Sequence, residues 1–533
     1  MLLFAAVLVA QPAAPTVRFW PPAEPVGVYE AYEVTAVPSP KVADRPFAPR
    51  LSGTVTGPDA VAVPVAGFCD AADGSVYRIR FMPARPGRHT YALSFAAHNA
   101  AWQHKGTFDA APSNRKGPVR IDPKYPHHFV WEGTGEHYFW NGTTTYWLLG
   151  VQDDKRIEAA IDRLAKLKVN RIRVAVNART TSAERWYEPV RNSDAFKFRV
   201  NPWPAKNPDS PTDPQLDVSR FDVALWQKLD RLVKHARDKD VVVSVIFHLD
   251  GADKGVDPFG QGKKDWPGSE DEWRYYRYAA ARLSAYSNVM WDITNEWHLF
   301  RNEAWVNKAG DVLRAADPYK HLMSVHGRGD YPFYKSPWSD FAMYQVWDEA
   351  GGYKFLRRAR ELAAKAGKPM PQVNEEYGYE DHYPGKWGGG RKAPARSADN
   401  RRRLAWEMSM AGGYQTTGER ANIPTQGGWI TGLGDDSMVM LAGYAKMVDF
   451  FTAFEWWKCD PQAGPGMVLA EPGRQYAVYL PKGGSVKLDV PAGKFRGRWY
   501  NPRTGEWSPA TPTNGEYTAP DADDWALLVV ADP

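Results

Sequence analysis

Residues 157–176 read IEAAIDRLAKLKVNRIRVAV and join two different periodicities in one short run. Ile157, Ile161, Leu164 and Leu167 recur at the spacing of one helix face. After Lys168 the pattern changes at once to the β-branched and apolar residues of a buried strand. A helix that passes into a strand with almost no connection is typical of the repeating unit of a parallel α/β sheet.

The same alternation extends through the central part of the chain. A second helical pattern covers 222–240. Eight strands are predicted at 138–149, 170–176, 241–247, 289–296, 322–327, 341–347, 371–378 and 414–420. Eight strands alternating with helices predict an α/β fold, a (β/α)8 TIM barrel. A doubly wound sheet is the alternative, but no G-x-G-x-x-G motif follows any predicted strand.

The connections between elements differ strongly in length. Three strand-to-helix connections, 177–221, 248–270 and 379–394, are far longer than the usual loop of about 4–6 residues. In a TIM barrel these loops all emerge at the carboxyl end of the strands. A substrate groove is therefore predicted at that end of the barrel.

The barrel is expected to lie between two β-domains. Short β-rich runs broken by Gly and Pro predict an N-terminal β-sandwich at 17–110 and a small C-terminal β-sandwich at 473–533. A Pro-rich linker, 110–126, precedes the predicted barrel at 127–458.

The first 14 residues predict export. Met1–Ala10 reads MLLFAAVLVA and is followed by QPAAP, which resembles the apolar core and cleavage region of a signal peptide. The run is too short to span a bilayer, so a secreted or periplasmic protein without a membrane span is expected. A disordered apolar N-terminus is the alternative.

Composition excludes several classes of protein. Hydrophobic residues make up 43% and charged residues 24%, which excludes a disordered chain, a collagen repeat and a coiled coil. The net charge of +5 over 533 residues gives no reason to expect a nucleic-acid partner. Cys69 and Cys459 are too few for a disulfide framework, although one bridge stays open. Trp is as frequent as Phe, 23 against 22, and flat rings suit the C–H faces of sugars.

Two acidic motifs carry the chemistry. Residues 292–296, DITNE, end predicted strand 4, and 374–378, NEEYG, end predicted strand 7. These strands are three apart around an eight-stranded ring, so Glu296 and Glu376 should face each other across the barrel mouth. Opposed carboxyl groups can cleave an acetal if burial and repulsion keep one protonated and one ionised. The predicted reaction needs no cofactor and no metal.

Other side chains at predicted strand ends are candidate substrate ligands. Asn295, His248 and His326 could bind sugar hydroxyls, although the two histidines fit a structural network equally well. Tyr344 could hydrogen bond to the nucleophile or fill the barrel. Two tryptophans, Trp147 and Trp429, are candidate sugar platforms, with core packing as the alternative.

These motifs resemble those of clan-A retaining glycoside hydrolases. Asn295-Glu296 matches the strand-4 pair in which the Glu is the acid/base, and Glu376 with the following Tyr-Gly matches the strand-7 nucleophile. Glu375 is a rival nucleophile. Arg173 resembles the strand-2 arginine that supports the nucleophile in those enzymes.

The runs YFWNGTTTYWLL and LAKLKVNRIRVAV resemble the apiosidase-like barrel family more closely. The whole architecture resembles exported bacterial members with an N-terminal sandwich, a barrel and a C-terminal β-domain of collagen-binding type. Residues 141–145, NGTTT, depart from that family, in which an acidic residue is expected at strand 1.

The sequence thus predicts an exported glycoside hydrolase that acts on a poly- or oligosaccharide by retention. Glu296 is expected to be the acid/base and Glu376 the nucleophile, with carboxyl groups about 5–5.5 Å apart rather than the about 6.5–9.5 Å of inverting enzymes. A non-catalytic glycan-binding or adhesion protein is the alternative, and a polysaccharide lyase is a third possibility.

Overall fold

The computed structural model describes residues 14–23, 25–178, 192–210, 212–249, 251, 257–381, 396–421, 427–463, 466–490 and 495–532. The predicted signal peptide therefore falls almost wholly outside the described residues. The chain forms two compact units, Met1–Ser113 and Asn114–Pro533.

The first unit is a β-sandwich. One sheet has the strand order Thr16–Trp20, Tyr32–Ser39, Tyr77–Phe81, Phe68–Cys69. The other has the order Val26–Gly27, Ala100–Ala111, Gly87–Ala97, Leu51–Thr56, Ala62–Ala66. Alternate residues of the strands are buried, and Tyr32 of one sheet stacks on Phe108 of the other with ring centroids 4.0 Å apart. This aromatic contact lies in the core between the two sheets.

A three-stranded antiparallel sheet opens the second unit. Its strands are Val119–Ile121, Phe129–Trp131 and His137–Tyr138, and the first lies within the segment expected to be a linker. The fully buried Phe129 packs on Trp140 and Tyr414, which lie at the amino ends of barrel strands. This sheet thus covers the end of the barrel opposite the predicted mouth.

The eight predicted barrel strands are all present. They are β1 Asn141–Thr144, β2 Arg171–Ala175, β3 Val242–Ile246, β4 Val289–Asp292, β5 in two pieces at Met323–Ser324 and His326–Gly327, β6 Ala342–Gln345, β7 Gln372–Glu376 and β8 Tyr414–Thr417. Every pair is parallel, β8 pairs with β1, and the two pieces of β5 pair with β4 and β6. The ring is closed, which confirms the TIM barrel.

Among the described residues, seven helices of twelve or more residues alternate with these strands. They are α1 Asp154–Lys166, α2 Val223–Arg237, α3 Glu270–Leu283, α4 Glu303–Ala316, α5 Tyr353–Lys365, α6 Ala398–Met410 and α7 Met440–Phe451. Asp153 caps α1 by accepting from the Lys155 amide, and the predicted face of α1 is buried. The connection from β5 to β6, residues 328–341, contains turns instead of the expected eighth helix.

Short helical turns complete the connections: Leu148–Gly150, Trp297–Phe300, Asp348–Gly351, Gly428–Ile430 and Trp456–Lys458. All but the last lie after barrel strands, at the carboxyl end. They fix the backbone of the mouth where the candidate site residues are found.

A small β-domain follows the barrel within the same unit. Its main sheet has the order Asp460–Pro461, Met467–Glu471, Gln475–Leu480, Trp525–Ala531, Phe495–Tyr500, Trp507–Ala510, and Ser485–Lys487 pairs with Glu516–Thr518. Val486, Trp499 and Leu527 lie in the core of this domain. Trp406 of α6 stacks on Tyr479, which joins the domain to the barrel.

Cys69 and Cys459 are both buried thiols rather than halves of a disulfide. In the part of the chain that the structure describes, no helix combines the length and apolar character that crossing a membrane requires.

Candidate active site

The backbone at the end of β4 holds Glu296 in an unusual conformation. Its φ of 47° is left-handed, which costs a residue other than glycine about 1–3 kcal/mol. The neighbouring strands hold it there, because the Asn295 amide donates to the His248 carbonyl at 2.9 Å and the Glu296 amide donates to Nδ1 of His326 at 3.3 Å. Glu296 is thereby fixed between the ends of β3 and β5.

A β-bulge sets the direction of the second acidic motif. Tyr344 of β6 pairs with Asn374 of β7, but the next residue, Gln345, pairs with Glu376. Glu375 is therefore an extra residue on β7. Its carboxylate accepts from Arg171 in the barrel interior at 2.8 Å, whereas the carboxylate of Glu376 lies at the mouth. The bulge thus directs the carboxylates of two adjacent glutamates to different places, that of Glu375 to the barrel interior and that of Glu376 to the mouth.

Glu296 and Glu376 share their neighbours. Gln345 donates from Nε2 to Oε1 of Glu376 at 3.2 Å, and its side chain lies beside Glu296. His326 accepts from the Glu296 amide, and its Nε2 lies 3.9 Å from Oε2 of Glu376. The structure therefore brings the two sequence-predicted carboxyl groups to one place at the barrel mouth. Their predicted separation of about 5–5.5 Å stays a prediction.

Two tyrosines that the sequence reasoning missed surround Glu376. The Tyr146 hydroxyl donates to Oε2 of Glu376 at 3.1 Å and accepts from Nη1 of Arg173 at 2.8 Å. The Tyr379 hydroxyl donates to that of Tyr146 at 3.0 Å and lies beside Glu376. The Arg173 guanidinium group is thus linked to the Glu376 carboxylate by two successive hydrogen bonds through the Tyr146 hydroxyl.

Arg173 acts from inside the barrel. Its Nη2 pairs with Oδ2 of Asp292 at 2.7 Å and donates to Oδ1 of Asn295 at 3.2 Å. The expected support of the nucleophile therefore passes through Tyr146. The amide oxygen of Asn295 is held by the same guanidinium group, so Arg173 orients the residue beside Glu296 as well.

The pKa of each glutamate in the pair is raised. Burial, and after it the negative charge of Glu296, raises the pKa of Glu376 to about 7. Burial also raises the pKa of Glu296, opposed by the Gln345 hydrogen bond and by Arg173. Because like charges in one buried site oppose each other, the pair retains one proton around neutral pH.

His248 and His326 are buried and neutral. Burial lowers the pKa of His248 to about 4 and that of His326 further below its usual range. His248 accepts from Asn177 at 3.0 Å through Nδ1, and His326 accepts from the Glu296 amide through Nδ1. Both imidazoles therefore carry their proton on Nε2. For His326 that proton points into the space beside Glu376.

For Tyr344 and Trp147 the contacts fit the alternative roles, barrel filling and core packing. The Tyr344 hydroxyl hydrogen bonds to Tyr334 and Gln372, and the contact from β6 to Glu376 comes from Gln345 instead. Trp147 is 1% exposed and donates to the Phe198 carbonyl at 3.1 Å, so it is a core residue rather than a sugar platform.

Trp429 packs against an aromatic residue of the candidate site. It is nearly fully buried, and its ring stacks on Tyr379 at 4.3 Å between centroids and 6° between planes. Tyr379 in turn contacts Glu376. Trp429 thus positions an aromatic residue of the site instead of presenting an open face.

Replacing Gly418 by alanine should reduce turnover by about 10–100-fold, since about 1 Å of displacement in an active site can cost about 10²-fold. Gly418 follows β8, and an added Cβ would lie 2.2 Å from Cβ of Trp429. Trp429 must move, and Tyr379 moves with it. Steady-state kinetics of Gly418→Ala tests this, with Gly443→Ala on α7 as the control, where the nearest atom is a flexible arginine carbon. Unchanged kcat in Gly418→Ala would contradict the packing argument.

The described residues contain no group of three or more His, Cys, Asp or Glu side chains that could hold a metal ion. The candidate site instead contains a carboxyl pair with amide, hydroxyl and imidazole neighbours.

An eight-stranded barrel with Asn-Glu after β4 and Glu at the end of β7 defines a clan-A glycoside hydrolase, and the chain is such an enzyme. Residues 126–418, more than half of the chain, match the family described as Apiosidase-like, catalytic domain. The chain belongs to this family. Residues 25–96 match Domain of unknown function (DUF5060).

Relatives with names and solved structures agree with this class. Mannan endo-1,4-beta-mannosidase F of Aspergillus clavatus is 22% identical over 325 residues, which cover 52% of this chain and 69% of that protein. A Bacteroides vulgatus protein considered a glycoside hydrolase has a similar structure, with a TM-score of 0.76, 20% identity and coverage of 96% of this chain and 100% of that one. A glycoside hydrolase of family 5 from the same species has a TM-score of 0.58, 17% identity and coverage of 78% and 93%. At these identities the two solved structures support the fold.

Proposed function

We propose that this chain hydrolyses O-glycosidic bonds of a poly- or oligosaccharide with retention of configuration, using Glu296 as acid/base and Glu376 as nucleophile. The observation that carries the proposal is the shared site of the two carboxyl groups. Tyr146 and Gln345 both donate hydrogen bonds to Glu376, and Tyr379 donates to Tyr146 beside it. The pair retains one proton around neutral pH, and the proposed reaction requires that proton on Glu296 and the negative charge on Glu376.

The two carboxyl groups divide the reaction into two steps. In the first, Glu376 attacks the anomeric carbon while Glu296 protonates the departing oxygen, which gives a covalent glycosyl-enzyme. Esterification removes the charge of Glu376, so the pKa of Glu296 falls. Glu296 can then take a proton from water, which attacks the anomeric carbon and releases the sugar and Glu376.

The neighbours of Glu376 stabilise its changing charge. Tyr146 donates to the carboxylate before attack, and Arg173 keeps the tyrosine oriented. His326 holds the backbone of Glu296 while its Nε2 proton faces the same space. Such donors are already in place before the reaction begins, which is the condition for electrostatic stabilisation of the transition state.

The stereochemical outcome tests the mechanism. With an activated aryl glycoside that the enzyme cleaves, proton NMR should detect a first product with the anomeric configuration of the substrate. A first product of opposite configuration would contradict retention. Since the curated relatives are named mannan endo-1,4-beta-mannosidases, β-1,4-mannan belongs among the first polysaccharides to be tested.

The alternative, a glycan-binding or adhesion protein without catalysis, predicts binding of a polysaccharide with no release of reducing ends. A lyase predicts an unsaturated product that absorbs ultraviolet light. We extend the proposal to export, on the apolar run Met1–Ala10 and the small residues after it. That the C-terminal β-domain is of collagen-binding type stays a prediction.

A further inference from the structure

Trp347 is an aromatic residue at the barrel mouth that is partly exposed. It lies two residues beyond the end of β6, and its backbone is still extended, with φ −82° and ψ 144°. Side chains two apart in an extended chain point to the same side, so Trp347 shares a side with Gln345, which donates to Glu376 at 3.2 Å. The ring of Trp347 also lies 6.4 Å from that of Tyr379, with 68° between the planes. Trp347 is therefore placed beside the carboxyl group that the proposed reaction uses as nucleophile.

A buried cluster of charged side chains holds this ring. The guanidinium carbon of Arg396 lies 4.8 Å from the centroid of the Trp347 ring. Arg396 makes two hydrogen bonds to the Asp348 carboxylate, from Nε at 2.9 Å and from Nη2 at 2.8 Å, and Arg401 donates to it at 2.9 Å. All three charged residues are buried. A ring that is already held in place loses little conformational freedom when a ligand binds to it.

Gly378 supplies the space that this cluster needs. Its φ is 94°, and an added Cβ would lie 2.9 Å from Nη1 of Arg401 and 3.0 Å from Nε of Arg396. Nη1 of Arg401 also donates to the Gly378 carbonyl at 2.9 Å. The Tyr-Gly pair after Glu376 thus joins the end of β7 to the support of Trp347. The ring and the carboxyl group are therefore carried by two neighbouring strands, β6 and β7.

We propose that Trp347 is a sugar-binding platform at the barrel mouth, on which one sugar ring of the glycan substrate stacks beside Glu376. The inference rests on the function proposed above, from which it takes the class of ligand. The C–H bonds on the flat side of a sugar ring carry partial positive charge, and the face of an indole ring is negative, so the two attract each other. Trp147 and Trp429, for which the sequence suggests this role, are nearly fully buried, whereas Trp347 is partly exposed.

Binding of polysaccharide to a protein without the nucleophile tests the platform. Glu376→Gln, alone and combined with Trp347→Leu or Trp347→Phe, is run in native gels that contain β-1,4-mannan, xylan, β-glucan or pectin. We expect at least one polysaccharide to retard Glu376→Gln, and Trp347→Leu to weaken that binding by about 10–100-fold, as for loss of an aromatic anchor. Trp347→Phe keeps a flat ring and should lose less than Trp347→Leu. A residue that merely fills space would tolerate leucine at least as well as phenylalanine.

Trp457→Leu, also combined with Glu376→Gln, is the matched control. It removes another partly exposed tryptophan, whose ring stacks on His137 at 3.8 Å, on the sheet that covers the opposite end of the barrel. Its retardation should equal that of Glu376→Gln alone. Equal retardation with Trp347→Leu would overturn the platform, and so would failure of all four polysaccharides to retard Glu376→Gln.

Kinetics separate this inference from the proposed function. With the polysaccharide that binds, Trp347→Leu in the otherwise wild-type enzyme should raise KM by about 10-fold or more and change kcat less, because stacking holds the substrate before and during the reaction. If Glu376→Gln remains fully active and Trp347→Leu weakens binding, the proposed function fails and the platform stands. If Glu376→Gln is inactive and Trp347→Leu binds and reacts like wild type, only the platform fails.

Discussion

Replacing Glu376 by glutamine is expected to lower kcat by about 10⁴-fold or more and to make the folded protein more stable at neutral pH. Turnover falls because an amide cannot form the covalent glycosyl intermediate, and loss of a nucleophile removes the group on which both steps depend. Stability rises because the wild-type site must hold two buried carboxyl groups of like charge.

The pH range of this stabilisation follows from the direction of the pKa shift. Burial and Glu296 raise the pKa of Glu376 from its ordinary value of 4.5 to about 7 in the folded state. Its contribution to stability is therefore fully present below about pH 4.5 and is lost as the pH rises towards 7. Glutamine resembles the protonated carboxyl group at every pH. Glu376→Gln should match wild type near pH 4.5 and exceed it by about 2 kcal/mol above pH 7.

Chemical unfolding at pH 4.5 and 7.5 measures this difference. Glu407→Gln on α6 is the control, because burial also raises the pKa of that carboxyl group at a place away from the site. The control should keep its full activity. A Glu376→Gln variant that retains turnover would remove this residue from the mechanism.

Small nucleophiles separate the roles of the two glutamates. Azide should restore turnover to Glu296→Ala and give a glycosyl azide of retained configuration, since azide replaces water at the glycosyl-enzyme. With Glu376→Ala, azide attacks the substrate directly, and the glycosyl azide should have inverted configuration. The opposite pattern would exchange the two assignments.

The sequence predicted the barrel because its signals are repeated and local. Apolar runs of strand length alternate with helical spacing, and each of the eight predicted runs contains a strand of the closed ring. The two acidic motifs were placed by strand number alone, since all strand ends of a parallel barrel meet at one end. That argument brought Glu296 and Glu376 together without any knowledge of side-chain contacts.

The side chain of β6 that contacts Glu376 differs from the candidate by one position, because side chains alternate along a strand. Neighbouring residues point to opposite faces, so an error of one position exchanges an inward residue for an outward one. Tyr344 is the candidate that the sequence offers on β6, whereas its neighbour Gln345 contacts Glu376. The bulge at Glu375 changes the register locally, and it depends on pairing between β6 and β7 that a single sequence does not reveal.

The absence of a helix between β5 and β6, in residues 328–341, could not be predicted from the sequence either. Periodicity indicates that strands and helices alternate, but the eighth helix is inferred from the repeat rather than from a helical pattern at 328–341.

Sequence reasoning missed Tyr379 for a different reason. It lies beyond the end of β7, and its contact with Glu376 depends on the path of the loop and on the ring of Trp429.

Replacing Glu375 by glutamine is expected to destabilise the fold by about 3–5 kcal/mol, the usual cost of removing one partner from a buried ion pair. Glu375 and Arg171 are both fully buried, and their charged atoms lie 2.8 Å apart. Burial lowers the pKa of Arg171, and the Glu375 charge opposes that effect. The variant leaves the guanidinium group in the barrel interior without its neighbouring carboxylate.

Equilibrium unfolding in denaturant measures the change, with two controls. Glu270→Gln breaks an exposed ion pair with Arg277 on α3 and should cost less than about 1 kcal/mol. The double variant Glu375→Leu with Arg171→Met replaces both charges by apolar side chains and should recover most of the loss, because no charge is left unpaired. A large loss in Glu375→Gln, a small loss in Glu270→Gln and recovery in the double variant would together identify the cost as that of an unpaired buried charge.

The same experiment separates Glu375 from Glu376 as the candidate nucleophile. Glu375 accepts from Arg171 in the barrel interior and also has Nε of Arg173 at 4.0 Å, whereas Glu376 accepts from Tyr146 and Gln345 at the mouth. Molecules of Glu375→Gln that remain folded should therefore keep a substantial part of their turnover at low temperature. A Glu375→Gln variant with wild-type stability and no turnover would reverse the assignment, because its carboxylate would then serve the reaction rather than the fold.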